Sequence, residues 1–179
     1  MANYALSATQ AIVDYLWSNL TTTNSNVTAG KILEADDFQV DLLNGPVLNI
    51  IPIFPAQQDM INYQELGTKT HIVYDHVADG YEENWMICRD SMMFTTYSQD
   101  FNKIAEIQNL MLDLFRRMDE SARDINASLP AGSPFIFFSV SLADLLSPEP
   151  QREKNGWFAG QVVIRYKYGR QINSSGRFA

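Results

Sequence analysis

The residues best suited to metal binding or covalent chemistry are scarce in this chain, which has two histidines and one cysteine among 179 residues. His71 and His76 are five positions apart in a predicted strand, so their side chains should lie on opposite faces and cannot share a metal ion. Cys88 lies in an apolar segment, where a thiol usually packs without reacting. These three residues therefore predict no catalytic or metal centre.

The sequence also lacks the local motifs of common catalytic and nucleotide-binding sites. It contains no G-x-S-x-G, H-E-x-x-H, C-x-x-C or G-x-G-x-x-G pattern. Residues 34–41 carry four carboxylates, but their spacing is not that of an EF-hand loop, and we interpret them as a solvated acidic surface. We expect no enzymatic activity, no cofactor and no bound metal.

The composition is that of one globular domain spanning residues 1–179, with 46% hydrophobic and 19% charged residues. A lone cysteine cannot form an internal disulfide, which favours a reducing compartment. No apolar run approaches the roughly 20 residues that a membrane-spanning helix needs. We therefore expect a protein that is made in the cytosol and has no membrane contact.

The net charge of −8 conceals an asymmetry along the chain. Residues 1–150 hold 7 basic and 20 acidic side chains, a net charge of −13, whereas residues 151–179 hold 6 basic and 1 acidic, a net charge of +5. An acidic body argues against nucleic-acid binding as the main function. A basic end on an acidic body suits contact with another copy of the chain or with an acidic neighbour.

Two amphipathic helices are predicted among the elements that position these charges. The first is predicted over residues 8–20, with Ser7 as its N-cap. A single long helix is predicted over residues 98–126, capped by Ser98 or Asp100 and with Lys103 on its solvent face. Its apolar stripe recurs at steps of three and four and comprises Phe101, Ile104, Ile107, Met111, Leu114, Phe115, Met118, Ala122 and Ile125.

The segment between these helices reads as strands. Residues 47–54 predict a buried strand broken by Pro52. Residues 68–77 and 84–97 predict a hairpin, with Asp79-Gly80 as the turn. Because the return strand is longer than usual, the hairpin should project beyond the sheet or carry a bulge, and a neighbouring subunit would cover a projecting hairpin.

The last part of the chain completes one sheet. We expect a central strand over residues 135–140, a short helical turn over 141–146, an exposed loop over 147–156 and a final strand over 157–168. Residues 1–6 and 169–179 should be flexible termini. The fold class is therefore α+β, a single mixed or antiparallel sheet with a long β-hairpin, packed against an N-terminal helix and a long central helix.

The order of these elements, together with four short segments, resembles that of bacteriophage tail terminator (tail-completion, or neck) proteins over roughly residues 5–168. The segments are Ile-Pro-Ile-Phe-Pro at 51–55, Gly-Thr-Lys-Thr-His-Ile-Val-Tyr at 67–74, Ser-Gln-Asp-Phe-Asn-Lys-Ile at 98–104 and Phe-Ile-Phe-Phe at 135–138. The resemblance implies a structural virion protein that forms a ring, usually of six subunits, between the tail tube and the head connector.

The implied partners are other copies of the chain, the tail tube and a sheath protein, and the head–tail connector, with DNA only as passing cargo. The implied location is the tail or neck of the virion, after assembly in the host bacterial cytoplasm. Alternatives are another neck, connector or adaptor protein, and a small intracellular α+β ligand-binding domain or enzyme. The residues expected at contacts between subunits or with partners are Asp79, Glu82, Glu83, Trp85, Arg165, Lys167, Arg170 and Arg177.

Overall fold

The structure is a computed structural model that describes residues 4–20, 38–41, 47–56, 67–81, 87–151 and 156–170. Within these residues it contains three helices, α1 (Tyr4–Asn19), α2 (Phe101–Phe115) and α3 (Asp119–Ser128). It also contains seven strands, β1 (Phe38–Asp41), β2 (Val47–Ile50), β3 (Ile53–Pro55), β4 (His71–Tyr81), β5 (Ile87–Ser98), β6 (Phe135–Pro150) and β7 (Phe158–Arg170).

Five strands form one mixed sheet in the order β3-β4-β5-β7-β6. β3 pairs with β4 in parallel, and the other pairs are antiparallel. β1 and β2 pair with each other in a separate two-stranded sheet. The α+β class, the mixed sheet and the β4–β5 hairpin are thereby confirmed. The strand predicted over 47–54 is interrupted around Pro52 as expected, but its two parts, β2 and β3, belong to different sheets.

The three helices pack on one face of the large sheet, which we call the helical face. α2 buries a stripe that includes Ile104, Ile107 and Met111, none of which is exposed to solvent. α1 reaches the same face, because Thr9 Oγ1 and the Tyr166 hydroxyl are hydrogen-bonded at 3.0 Å. Burial of this apolar layer is the main force that holds the helices on the sheet.

The predicted single helix over 98–126 is wrong, because the structure divides it into α2 and α3. The two helices meet at Met118, whose φ of 41° and ψ of −91° are not helical. The Met118 carbonyl accepts hydrogen bonds from Ala122 N at 3.1 Å and from Val140 N at 3.3 Å. At the bend, a carbonyl that keeps its helical hydrogen bond therefore also accepts one from the backbone of β6.

Several side chains lie on the opposite side of a helix from the predicted one. Phe101 and Met118 are 45% and 54% exposed, although both belong to the predicted apolar stripe, whereas Lys103, predicted to be in solvent, is 5% exposed. Asp100 caps α2 as expected, accepting from Asn102 N at 2.8 Å. The Ser7 cap is wrong, because α1 begins at Tyr4 and Ser7 lies inside it.

The β4–β5 hairpin differs from prediction at its turn. Asp79-Gly80 is not the turn, because β4 continues to Tyr81 and the register shifts between Ala78 and Gly80. The predicted bulge is therefore confirmed. β5 pairs with β7 along its whole length, from Ile87 to Ser98, so the described part of the hairpin lies within the sheet and does not project. Residues 82–86 lie outside the described residues.

β6 differs most from prediction. It is an edge strand, not a central one, and it continues to Pro150, so the helical turn predicted over 141–146 and the start of the loop predicted at 147 are wrong. Three register shifts interrupt its pairing with β7, at Phe137/Ser139, Leu142/Asp144 and Leu146/Glu149. Bulges of this kind are common on edge strands, where they discourage pairing with other chains.

A side chain of α3 forms hydrogen bonds with backbone groups on the outer edge of β6. Asn126 Nδ2 donates to the Phe137 carbonyl at 2.8 Å, and Phe137 N donates to Asn126 Oδ1 at 2.9 Å. The amide of Asn126 therefore replaces the peptide group of a neighbouring strand. This contact closes the edge at the point where the Phe137 side chain is buried.

β7 confirms the predicted final strand and extends it. Val162, Ile164, Tyr166 and Tyr168 are all buried on the helical face, as their alternation predicts. The strand continues through Gly169 to Arg170, two residues past its predicted end and into the predicted flexible terminus. The remainder of that segment, residues 171–179, lies outside the described residues, as does the acidic segment 34–37.

Candidate assembly surface

The structure describes the side chains of two of the eight residues predicted at contacts. Arg165 and Lys167 lie on β7 and point away from the helices, onto what we call the open face of the sheet. Asp79 and Arg170 are backbone members of β4 and β7, and nothing further is described of their side chains. The remaining four predicted contact residues lie outside the described residues. They are Glu82, Glu83, Trp85 and Arg177.

The open face brings a third cation, Arg89, beside these two. Arg89 on β5 is directly opposite Lys167 on β7, and Arg165 is the next residue of β7 on the same face because strand side chains alternate with a period of two. Two hydroxyls on β6 complete the arrangement, since Ser139 is opposite Lys167 and Ser141 is opposite Arg165. We call these five residues the basic patch.

The basic patch forms a shallow depression of about 450 Å³, in which Tyr166 takes part as well. Directly opposite residues have Cβ atoms about 4.5–5.5 Å apart, so a single oxyanion can reach two of these cations at once. Among the described residues the Arg165 guanidinium makes no ion pair, and the Ser141 hydroxyl donates to the Arg165 carbonyl at 3.5 Å. Guanidinium, ammonium and hydroxyl groups are the side chains that proteins commonly use to bind carboxylate or phosphate groups.

Sequence reasoning missed Arg89 because its position in the patch depends on a non-local pairing. Arg165 and Lys167 alternate with apolar residues near the chain end, so a common face could be predicted for them. Arg89 is more than seventy residues earlier in the chain. Only the β5–β7 register places it beside Lys167. The alternation of Arg89 with the buried Cys88 and Asp90 indicates its face, but not its neighbour.

A second polar group is buried on the helical face beneath the sheet. Asp90 is 3% exposed and accepts a hydrogen bond from the Tyr168 hydroxyl at 3.0 Å. His76 Nε2 lies 3.3 Å from the same carboxylate oxygen, without hydrogen-bond geometry. Cys88 is directly opposite Tyr168 and is 3% exposed.

The buried group holds the Tyr168 hydroxyl in its neutral form. Burial, then the Asp90 carboxylate, then Cys88 raise the pKa of Tyr168 far above its usual value of about 10. A tyrosine held neutral donates a hydrogen bond but cannot take a proton from the Cys88 thiol.

We predict that Tyr168→Phe destabilises the protein at pH 7. It should also make the free energy of unfolding fall less steeply as the pH rises into the alkaline range. The Asp90 carboxylate loses a donor in a buried site, which should cost about 1–3 kcal/mol. Because the pKa of Tyr168 is higher in the folded state than in the unfolded one, its contribution is complete below about pH 10 and falls as pH rises further, by about 1.4 kcal/mol per pH unit.

Urea denaturation between pH 7 and pH 11 measures both effects. Tyr15 and Tyr74, whose pKa values are also raised by burial, are present in both proteins and contribute equally to each. Parallel alkaline slopes for the parent and Tyr168→Phe would contradict the assignment of a neutral, buried hydroxyl.

A cleft of about 620 Å³ lies on the opposite side of the molecule from the basic patch, between α1 and residues 128–135. Its walls are mostly apolar and include Ala11, Leu129, Pro130 and Phe135. Asp14 brings a carboxylate to the lining. The volume falls within the range of small-molecule sites, about 300–1,000 Å³.

The two histidines lie on opposite faces of β4, as predicted. His76 faces Asp90 on the helical face, whereas His71 is 2% exposed and stacks on Tyr97 with ring centroids 5.4 Å apart. In the described part of the chain, no three His, Cys, Asp or Glu side chains come close enough to hold a metal ion. None of the described helices is both long and apolar enough to cross a membrane.

No protein-family model matches the sequence, and no curated protein matches it. Function must therefore be inferred from the surfaces of the chain itself.

Proposed function

We propose that this chain is the subunit of a bacteriophage tail terminator, a structural ring that caps the tail tube and joins it to the head–tail connector. The ring has six copies in the proposal, contacts the tube and a sheath protein on one side and the connector on the other, and lets DNA pass through its centre. It is assembled in the host bacterial cytoplasm and resides in the neck of the virion.

The observation that carries this proposal is the basic patch on the open face of the sheet. Helices cover the other face of the sheet, whereas Arg89 and Arg165 are exposed on the open face. The first 150 residues carry a net charge of −13. A cationic surface on an acidic protein is complementary to a different surface of an identical copy, and such head-to-tail contacts close into rings.

The order of elements also supports a tail terminator over other ring proteins. An N-terminal helix, a long hairpin that leads directly into α2 and two further strands are the arrangement on which the resemblance depends. The thiol and the carboxylate of the buried polar group are closed to solvent, which favours a structural function over catalysis.

Sedimentation velocity of the purified protein over a range of concentrations tests the ring. We expect a species of about six times the 20.3 kDa subunit mass, favoured at high protein concentration. Negative-stain images should show rings with a central opening, and the protein should bind at one end of isolated tail tubes. A protein that stays monomeric at every concentration, with or without tubes, contradicts the proposal.

The cleft beside α1 favours a second candidate function, the binding of a small apolar molecule with a polar group near Asp14. Native mass spectrometry of the purified protein tests it by detecting a retained ligand. Ala131→Trp should abolish that retention by filling the cleft from its exposed loop. A protein that carries no ligand, and whose melting temperature no small molecule raises, contradicts this second function.

A further inference from the structure

The cleft beside α1 presents a carboxylate without a basic neighbour in its lining. Asp14 is exposed where α1 lines the cleft. Among the described residues that line the cleft, none is basic. Gln10 Nε2 donates to Asp14 Oδ1 at 2.7 Å across one turn of the helix. This contact orients the carboxylate and leaves Oδ2 without a hydrogen bond from the described residues.

The wall of the cleft formed by residues 128–134 uses several of its hydrogen-bond donors internally. The Ser128 hydroxyl donates to the Ile125 carbonyl at 2.7 Å, and Ser133 N donates to the Pro130 carbonyl at 3.0 Å. The two prolines of this wall have no N–H group. A ligand whose polar group donates hydrogen bonds therefore fits the cleft better than one whose polar group accepts them.

The surroundings of α1 are negative, which favours a cationic donor over a neutral one. Burial and, next, the Asp14 carboxylate raise the pKa of Tyr74. Burial and, next, Asp124 on α3 raise the pKa of Tyr15. Each carboxylate thus disfavours a further negative charge nearby, and the same potential stabilises a positive charge.

We propose that the cleft binds a small organic amine in its protonated form, with the ammonium group against Asp14. The apolar body of the amine would lie against Ala11, Leu129 and Phe135, which line the cleft. The ammonium group would form a charge-assisted hydrogen bond with the carboxylate. The inference rests on the second candidate function, ligand binding in the cleft, and it names the class of ligand.

Three probes that share an apolar body and differ in the polar group test the inference. At pH 7 cyclohexylmethylamine is a cation, cyclohexylmethanol is neutral and cyclohexylacetate is an anion. NMR titration of the full chain gives the Kd of each probe. We expect the amine to bind about five- to tenfold more tightly than the alcohol, since an exposed carboxylate contributes only modestly, and the acetate to bind most weakly.

Two isosteric variants locate the source of this preference. Asp14→Asn keeps the size of the side chain and removes its charge, so it should abolish the preference for the amine over the alcohol. The control is Asp113→Asn, which removes the same charge from an exposed position on α2 outside the cleft lining. The control should keep the preference, which separates a contact at Asp14 from the general attraction of a cation to a chain of net charge −8.

Ala131→Trp, which fills the cleft, should prevent the amine from binding, and melting temperatures confirm that each variant is folded. An alcohol that binds as tightly as the amine, or a preference for the amine that survives Asp14→Asn, overturns the inference and leaves ligand binding in the cleft. Amine binding that Ala131→Trp does not change also overturns it. If no probe binds the parent, the inference fails, and the second candidate function fails with it only if native mass spectrometry also detects no retained ligand.

Discussion

Replacing Met111 by alanine should lower the free energy of unfolding by about 2–5 kcal/mol, because Met111 is fully buried between α2 and the sheet. The loss combines the transfer of its apolar surface with the cavity left behind. For a protein of this size we expect the melting temperature to fall by roughly 5–15 °C. Urea denaturation monitored by circular dichroism gives the free energy directly.

Leu114 provides the matched control for Met111. It lies on the same helix and packs against the same core, but it is only partly buried. Leu114→Ala should therefore cost less, about 1–2 kcal/mol, since part of its surface is already in water. Equal losses for the two variants would show that α2 does not pack on the sheet in the orientation described.

Gly160→Ala should cost about 1–3 kcal/mol, because α2 lies directly on the backbone of β7 at that point. A Cβ atom at Gly160 would be 2.6 Å from Ile104 Cγ2 and 2.7 Å from Gln108 Nε2. The amide of Gln108 cannot move freely, since it donates to the Leu146 carbonyl at 2.7 Å and to the Gln161 carbonyl at 3.3 Å. The helix must therefore shift to admit the methyl group.

A double variant distinguishes this clash from a general effect of alanine in β7. Ile104→Ala removes the nearest methyl group and creates space beside Gly160. The destabilisation of Gly160→Ala with Ile104→Ala should be smaller than the sum of the two single losses, because the new methyl group occupies part of the cavity. Strictly additive losses, measured by urea denaturation, would contradict the close approach.

The sequence determined which faces of most elements are buried. The alternation of β7 placed Val162, Ile164 and Tyr166 on one side and Arg165 and Lys167 on the other, and the structure agrees. The three- and four-residue spacing in α2 likewise identified Ile104 and Met111 as core. Such patterns are local, so burial of one face is enough to specify them.

Tertiary structure alone decided where the long helix breaks. The apolar spacing continues through Met118 to Ala122 and Ile125 without a proline or glycine, so nothing local predicts an interruption. The break allows the Met118 carbonyl to accept from Val140 N, and it places Asn126 against both backbone groups of Phe137. These contacts with β6 offset the unfavourable backbone conformation at Met118.

Tertiary structure also decided that β6 is a long strand. Phe137 and Val140 are three residues apart, as are Leu142 and Leu145, and this spacing imitates a helix. Each interval contains a register shift, and the extra residue returns the next side chain to the helical face. Local periodicity therefore predicted a helical turn, whereas pairing with β7 imposed a bulged strand.

The residues of the basic patch also divide into those that the sequence identified and those that only the tertiary structure brought beside them. The sequence identified Arg165 and Lys167 from the charge contrast between the chain end and the body. Arg89, Ser139 and Ser141 joined them only through the β5–β7 and β7–β6 registers. Strand pairing is set by the packing of the whole sheet against its helices, and no single segment contains that information. The residues that one strand contributes to a face can thus be predicted from sequence. The surface that three strands form together depends on the fold.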